Sequence, residues 1–128
     1  MLFRSDCVLC IDPTVGRAVN VFDGIKDNGT WIQTTAKPLS ELQVPEKVAT
    51  VGLCDAVSIA LEIFKRPITN TLMLGAFART TGLVSLDSMR AAVEDSDFRD
   101  AGLKQNLLAL ERGYNETTVH KLDRRAAA

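Results

Sequence analysis

Two cysteines near the start of the chain have the spacing of a chemically active pair. Cys7 and Cys10 form a C-x-x-C motif, which serves in redox sites and in metal sites. The motif lies in a short apolar run over residues 7–11, which is typical of a buried parallel strand. Side chains three positions apart in a strand point to opposite faces of the sheet. We therefore predict that both cysteines are structural and are buried as small apolar side chains.

The other residues with catalytic potential are scattered along the chain. Cys54 is the third and last cysteine, and three thiols are too few for a four-thiolate iron–sulfur site. His120 is the only histidine, and we predict that it is solvated near the C-terminus. Asp95, Asp97 and Asp100 lack the glycine and terminal glutamate of a calcium loop, so they predict a solvated acidic loop. We assign no catalytic residue and no metal ligand from the sequence.

Three further positions have both a structural and a functional interpretation. Residues 12–17 follow the first strand, at the edge where open α/β sheets bind ligands. They supply few backbone amides for an anion, so we predict no phosphate site there. Asn70 is predicted to cap a helix. Arg79 lies in an apolar segment, and it either extends along the surface to water or binds an acidic partner or an anion.

The composition is that of an ordinary globular domain. Of the 128 residues, 46% are hydrophobic and 24% are charged, and the net charge is −1. This balance gives no electrostatic basis for binding nucleic acid or a membrane. No apolar run approaches the roughly 20 residues that span a bilayer, and the N-terminus does not resemble a signal peptide. Because an odd number of cysteines favours a reducing compartment, we expect a cytoplasmic protein.

The order of the elements predicts an α/β fold. β-branched and apolar runs predict strands at residues 7–11, 30–34 and 48–53, with a turn at Asn28-Gly29. Apolar residues at helical spacing predict helices at residues 15–26, 56–64 and 70–82, a short helix after Ser85 and a last helix at residues 103–111. The result is a three-layer domain over residues 1–116 with a mainly parallel sheet, a helical C-terminal third and a mobile tail over residues 117–128.

Several helix ends have recognisable signals. Asp55 is predicted to cap the helix over residues 56–64, and Lys65-Arg66-Pro67 to end it. Gly82 and Gly113 are predicted as C-terminal caps of the helices that precede them. The last helix is predicted to turn three leucines inward: Leu103, Leu107 and Leu110.

The helix over residues 70–82 is apolar on nearly every side. A surface helix is apolar along one stripe only, and a domain of this size has little interior to enclose a whole helix. Gly75 and Ala76 leave a bare patch where another backbone can approach. We therefore predict that a partner covers part of this helix. The interface candidates are Asn70, Met73, Gly75, Ala76 and Arg79.

The same helix carries a family resemblance, together with motifs on both sides of it. In chain order the motifs are Ser5-Asp6-Cys7, Asp12, Asp27-Asn28-Gly29-Thr30, Asn70-x-x-Met73-Leu74-Gly75-Ala76, Gly82-x-Val84-Ser85-Leu86, Asn106 and Arg112-Gly113-Tyr114. Their order and spacing resemble the gamma subunit, or gamma domain, of 2-oxoacid:ferredoxin oxidoreductases of the pyruvate and 2-oxoisovalerate type. The glycine-rich strand–turn–helix and the basic segment that normally begin this unit have no counterpart here. The chain therefore resembles the second half of that unit.

The resemblance implies a function in an assembly. The family oxidatively decarboxylates a 2-oxoacid such as pyruvate, passes two electrons to ferredoxin or flavodoxin, and forms an acyl-CoA. Thiamine diphosphate, iron–sulfur clusters and CoA are implied for the assembly, with no cofactor bound by this chain. The gamma unit packs beside the active site, so the implied partners are the other subunits or another copy of this chain.

Two alternatives remain open on the residues alone. One is a stand-alone α/β interaction protein without a reaction, and the weaker one is a small nucleotide-binding module. Co-purification of thiamine diphosphate and iron with partner subunits distinguishes the assembly from the stand-alone protein. Protection of the chain against heat unfolding by a bound nucleotide would identify the nucleotide-binding module.

Overall fold

Four strands form one sheet in the part of the chain that the computed structural model describes, which is residues 4–14, 20–96 and 102–122. The strands are β1 (Ser5–Cys10), β2 (Ile25–Thr34), β3 (Val48–Cys54) and β4 (Thr118–Lys121). They lie in the order β1-β2-β3-β4, with the first three parallel and β4 antiparallel to β3. The predicted α/β fold with a mainly parallel sheet is confirmed.

The connection from β1 to β2 differs from the prediction. A helix was expected over residues 15–26, but residues 21–24 form a turn and Ile25 already belongs to β2. Residues 15–19 lie outside the described part. Asn28 has a φ of 62° and lies inside β2, where the register with both neighbouring strands shifts. The Asn-Gly pair therefore forms a bulge rather than a turn between elements, because asparagine accepts a left-handed backbone in either setting.

The two faces of the sheet are covered differently. Ile32 and Cys54 point to a core that they share with the helices, whereas Trp31, Val51 and Leu53 point to a second core. Connecting segments cover this second face, including Phe22, whose ring meets that of Trp31 edge-on at 4.9 Å. A short 3-10 helix over Leu39–Glu41 also lies on this side. Among the described residues, the layer opposite the helices thus consists of loops.

The helical elements agree closely with the sequence patterns. They are α1 (Ala56–Phe64), α2 (Asn70–Thr81), α3 (Leu86–Glu94) and α4 (Leu103–Glu116). Asp55 caps α1 by accepting a hydrogen bond from the Ser58 amide at 3.4 Å. Ser85 caps α3 in the same way through the Ser88 amide at 3.0 Å. Gly82 ends α2 with a φ of 65°, as the sequence predicts.

The last helix is longer than expected and buries a different face. Gly113 was expected to end it, but α4 continues to Glu116. Leu103 was expected to face inward, but it is 44% exposed. The buried positions are Asn106, Ala109, Leu110 and Gly113. The face that meets α2 thus contains small and amide side chains, because the two helices approach too closely for a row of leucines.

The C-terminal segment is also more ordered than expected. A mobile tail was expected from Thr117 onward, but Thr118–Lys121 forms β4 beside β3. The Leu122 amide extends this pairing by donating to the Ala49 carbonyl at 2.7 Å. Threonine and valine favour extended backbone, but a four-residue run is too short to be distinguished by sequence from a mobile tail. Residues 123–128 lie outside the described part.

The remaining sequence predictions concern loops and membranes. Asp95 lies in an exposed turn after α3, whereas Asp97 and Asp100 lie outside the described residues. None of the helices described is both long enough and apolar enough to cross a bilayer.

Candidate functional site

The C-x-x-C motif does not form a site. Cys7 packs against the core on the helical side of the sheet, whereas Cys10 belongs to the core on the opposite side. Burial raises the pKa of both thiols, and the neighbouring Asp6 carboxylate raises that of Cys7 further. Burial also raises the pKa of the Cys54 thiol at the end of β3. The predicted placement of Cys7 and Cys10 on opposite faces of the sheet is confirmed.

The donor set does not fit an iron–sulfur cluster. A cluster needs several thiolates converging on one point, and here two of the three thiols lie on opposite faces of a strand. Over residues 4–14, 20–96 and 102–122, no group of three or more His, Cys, Asp or Glu side chains is arranged to hold a metal ion. We derive no redox step through residues of this chain.

The interface candidates on α2 separate into two sets. Met73, Gly75 and Ala76 are buried inside this chain, with Met73 and Ala76 at 0% exposure. The prediction that they face a partner is therefore wrong for this fold. Asn70 and Arg79 are exposed. These two remain available to a partner.

Gly75 is buried because it meets another helix of the same chain. A Cβ atom at Gly75 would overlap the Leu110 carbonyl oxygen, and one at Gly113 would overlap the Leu72 carbonyl oxygen. The two glycines thus let the backbones of α2 and α4 touch. The surface at Gly75 and Ala76, which the sequence assigns to a partner, is covered instead by α4. The glycine that faces Gly75 is Gly113, 38 positions further along the chain, so the contact cannot be predicted from the local sequence pattern.

Three residues of the family resemblance, all on α4, contact neighbouring side chains. Asn106 is buried and accepts a hydrogen bond from the Thr71 hydroxyl at 2.8 Å. Arg112 donates to Glu116 and to Glu62 of α1, each at 2.6 Å, which raises the pKa of its guanidinium. Tyr114 is half-buried under the Arg79 guanidinium, which lies 5.4 Å from the ring centre. These positions therefore have structural roles that account for them.

The opposite side of α2 is open. Asn70 and Leu74 are exposed, Leu74 at 40%, and Phe77 and Thr81 are half-buried. These four positions recur at spacings of four, three and four residues, so they share one side of the helix. Asn70 was expected to cap α2, but the cap position is Thr69, and Asn70 lies in the first turn, where its side chain accepts from the Thr71 amide at 3.0 Å.

The carboxyl edge of the sheet carries two clefts. One, of about 300 Å³, lies between the turn after β1 and the end of β2, and Thr14, Trp31 and Gln33 line it. At its mouth the Thr14 amide and hydroxyl donate to Asp12 Oδ1 at 2.7 and 2.6 Å, which lowers the pKa of Asp12. The Asp12 carboxylate thus already accepts the hydrogen bond that the Thr14 amide would donate to a phosphate. The turn over residues 12–14 thus disfavours an anion.

The second cleft, of about 410 Å³, lies between the end of β3 and β4. Asp55, Glu116 and His120 line it, and Lys37 lies at the rim of both clefts. His120, expected in a solvated tail, is therefore a half-buried residue of a strand. Sequence reasoning did not single out Lys37, and it missed the second cleft because that cleft depends on β4 pairing with β3.

Comparison with known proteins gives consistent results. A family model described as pyruvate ferredoxin/flavodoxin oxidoreductase matches residues 4–116. The chain is 64% identical over 127 residues to the gamma subunit of the NADH-dependent phenylglyoxylate dehydrogenase of Aromatoleum evansii, covering 99% of this chain and 67% of that subunit. It is 39% identical over 123 residues to the common gamma subunit of the pyruvate/ketoisovalerate oxidoreductases of Thermococcus kodakarensis, covering 94% of this chain and 66% of that subunit.

A solved structure supports the same relationship. The crystal structure of the pyruvate oxidoreductase subunit PORC from Thermotoga maritima superposes with a TM-score of 0.77 at 32% identity, covering 92% of this chain and 66% of that chain. The chain thus spans about two-thirds of the length of the relatives it matches. The resemblance to the gamma unit is confirmed.

Proposed function

This chain belongs to the pyruvate ferredoxin/flavodoxin oxidoreductase family, and we propose that it is a gamma-type subunit of a 2-oxoacid oxidoreductase that is active only when assembled. The family match over most of the chain and the gamma-subunit relatives support this assignment. The assembled enzyme removes the carboxylate of a 2-oxoacid as CO₂ and joins the remaining acyl group to CoA. The two electrons released reduce an acceptor.

The cofactors of that reaction belong to the other subunits in this proposal. The family implies thiamine diphosphate, iron–sulfur clusters and CoA for the whole enzyme. The separation of Cys7 and Cys10 by the sheet supports placing the clusters elsewhere. The three free thiols suit a reducing compartment, which supports a cytoplasmic assembly.

The substrate we propose is an aromatic 2-oxoacid of the phenylglyoxylate type. The observation that carries this choice is the difference in identity, 64% to the phenylglyoxylate dehydrogenase subunit against 39% to the pyruvate/ketoisovalerate subunit. That relative is described as NADH-dependent, so we propose a nicotinamide cofactor as the electron acceptor, in place of ferredoxin or flavodoxin. Pyruvate with ferredoxin is the competing assignment.

The subunit contributes surface rather than reacting groups in this proposal. The contact with α4 buries one side of α2 inside this chain. The opposite side of α2 presents Asn70, Leu74 and Phe77. Apolar surface of this kind on a small chain marks a partner site. We assign Asn70 and Arg79, both exposed, to contacts with the other subunits.

The test is purification of the assembly from its own host through a tag on this chain. We expect thiamine diphosphate, iron and further subunits in the purified complex, and CoA-dependent reduction of NAD⁺ that is at least tenfold faster with phenylglyoxylate than with pyruvate or 2-oxoisovalerate. The matched control is the tagged chain alone, which we expect to reduce neither NAD⁺ nor a viologen dye.

Each component of the proposal has its own contrary result. Faster turnover of pyruvate, or reduction of ferredoxin but not of NAD⁺, would overturn the substrate or the acceptor while leaving the subunit assignment intact. A tagged chain that is purified without thiamine diphosphate, iron or 2-oxoacid-dependent activity would favour the stand-alone interaction protein.

A further inference from the structure

The Asn-Gly pair in the bulge of β2 combines an exposed side chain with a fixed backbone nitrogen. Asn28 is exposed, and the register gives it no partner residue in β1 or β3. Its carboxamide makes no hydrogen bond to any residue that the structure describes. The next residue, Gly29, is buried, and its amide donates to the Lys47 carbonyl at 2.9 Å. The Asn28 side chain is therefore in water, whereas the nitrogen that follows it is held by the sheet.

The bulge favours these two residue types at these two positions. The φ of 62° at Asn28 lies in the left-handed region, which asparagine, aspartate and glycine tolerate better than other residues. A Cβ atom at Gly29 would lie 2.7 Å from Ile25 Cδ1 and 3.0 Å from the Lys26 carbonyl oxygen. Because Ile25 is itself only 4% exposed, a side chain at position 29 has little room.

Asn-Gly is also the dipeptide in which asparagine is lost most readily, because glycine has no side chain to hinder attack by its nitrogen. The Gly29 nitrogen gives up its proton and forms a bond to Asn28 Cγ, and the side-chain nitrogen leaves as ammonia. Water then opens the resulting succinimide ring at one of its two carbonyl carbons, which gives aspartate or isoaspartate. The sum is asparagine plus water giving a carboxylic acid and ammonia, so neither an oxidant nor a reductant is needed.

The pairing of β2 with β3 opposes the first step. The Gly29 nitrogen attacks only after it loses its proton, and that proton lies in the hydrogen bond to the Lys47 carbonyl. The attack also requires the peptide group between Asn28 and Gly29 to rotate. Gly29 is fixed opposite Val48, which is 0% exposed. Ring closure therefore requires a local opening in which Gly29 separates from β3.

We propose that Asn28 is a site of spontaneous deamidation, and that the pairing of Gly29 with β3 controls its rate. The side chain stays intact while the strands are paired, and it is converted during the intervals in which this end of β2 opens. The extent of conversion at position 28 thus records how long a molecule has spent with this pairing broken. The inference does not rest on the proposed subunit, substrate or acceptor.

The two products differ in how well they fit the bulge. Aspartate has nearly the shape of asparagine and also accepts a left-handed backbone, so it fits in place and adds a negative charge beside the exposed Asp27. Isoaspartate routes the main chain through the side-chain carbon, which lengthens the backbone by one atom. This extra atom moves the Gly29 amide away from the Lys47 carbonyl. We therefore expect molecules with isoaspartate to lose the pairing of Gly29 with β3.

The test measures two rates on the full chain at mildly alkaline pH, in a series of urea concentrations that ends with the unfolded chain. Peptide mass spectrometry gives the conversion of Asn28, and hydrogen exchange measured by NMR gives the opening of the Gly29 amide. We expect conversion to be at least tenfold slower in the folded chain than in the unfolded one. Below the unfolding transition we expect conversion to increase in proportion to the opening of Gly29.

A pair of variants tests whether the local pairing is responsible. Val48→Ala removes packing from the residue opposite Gly29, and it should raise the conversion of Asn28 in the folded chain by about tenfold. The matched control is Val93→Ala, which removes the same atoms from a position of α3 that is 4% exposed and should change conversion less than about twofold. Hydrogen exchange of the α2 amides reports whether each variant is folded.

Three results would overturn the proposal. They are equal conversion in the folded and unfolded chain, conversion that does not follow the opening of Gly29, and equal effects of the two variants. If Val48→Ala does not fold, the urea series on the unaltered chain decides between the outcomes. None of these readouts involves turnover of a 2-oxoacid, so failure here is distinguishable from failure of the proposed function.

Discussion

The two sides of α2 differ in what covers them. On one side Gly75 meets the backbone of α4, and on the other Leu74 is 40% exposed and Phe77 is half-buried. The small residues, which suggest a partner site from sequence, mark the contact that this chain makes with itself. The large apolar residues mark the side that needs a cover. Side-chain size alone therefore does not tell an internal helix contact from an external one, because both need close packing.

The largest effects are expected from substitutions that disrupt the contact between α2 and α4. Gly113→Ala should destabilise the subunit by about 3 kcal/mol, because the added Cβ meets the Leu72 carbonyl and forces the helices apart. This exceeds the roughly 1 kcal/mol that alanine gains over glycine in helix propensity. Gly75→Leu, with a bulkier side chain against the Leu110 carbonyl, should prevent folding.

Urea unfolding followed by circular dichroism measures these changes. The matched control is Gly102→Ala, where the new Cβ would meet only Gln105 Oε1, at 3.5 Å. If Gly75→Leu instead left the unfolding free energy unchanged and weakened only the association of subunits, Gly75 would face a partner after all.

A smaller effect is expected where α2 meets the sheet. The Thr80 hydroxyl is buried and has no hydrogen-bond partner among the described residues. Thr80→Val keeps the shape against Gly52 and removes the unpaired polar group, so it should stabilise the subunit by about 1 kcal/mol. Thr71→Val is the control, because it removes a hydroxyl that donates to Asn106 at 2.8 Å and should destabilise by a similar amount. Equal destabilisation by both variants would show that the Thr80 hydroxyl is paired.

The smallest effect on stability is expected on the open side. Leu74→Lys should change the unfolding free energy by less than about 0.5 kcal/mol, because Leu74 is 40% exposed and its side of α2 is uncovered. Leu72→Lys, at a position with 0% exposure, should prevent folding. Thermal unfolding of the two variants tests the contrast. A strongly destabilised Leu74→Lys would place this side inside the fold of the chain.

Local signals allowed much of this fold to be predicted from the sequence. The three parallel strands are short apolar runs, and α1 combines helical spacing with the side-chain cap of Asp55. These features depend on neighbours within a few positions. The opposite faces of Cys7 and Cys10 follow from the same local geometry.

The errors arise where distant segments decide the structure. Asn28 has the same left-handed backbone in a bulge as in a turn, and only the pairing of β2 with its neighbours distinguishes the two. The direction that Gly75 faces depends on Gly113, and β4 exists because the edge of β3 is free to pair. The sequence predicts an excess of apolar residues on α2, but the fold was needed to identify Leu74 as an exposed one.

The late position of β4 in the chain has a consequence for synthesis. β3 is complete at Cys54, but its antiparallel neighbour is complete only at Lys121. At roughly 5–20 residues per second, the ribosome leaves the outer edge of β3 without its native strand for about 3–13 s. The β3 sequence Val-Ala-Thr-Val-Gly-Leu-Cys has no charge and no proline to discourage wrong pairing during that interval. We therefore expect the outer edge of β3 to be prone to wrong pairing until β4 emerges.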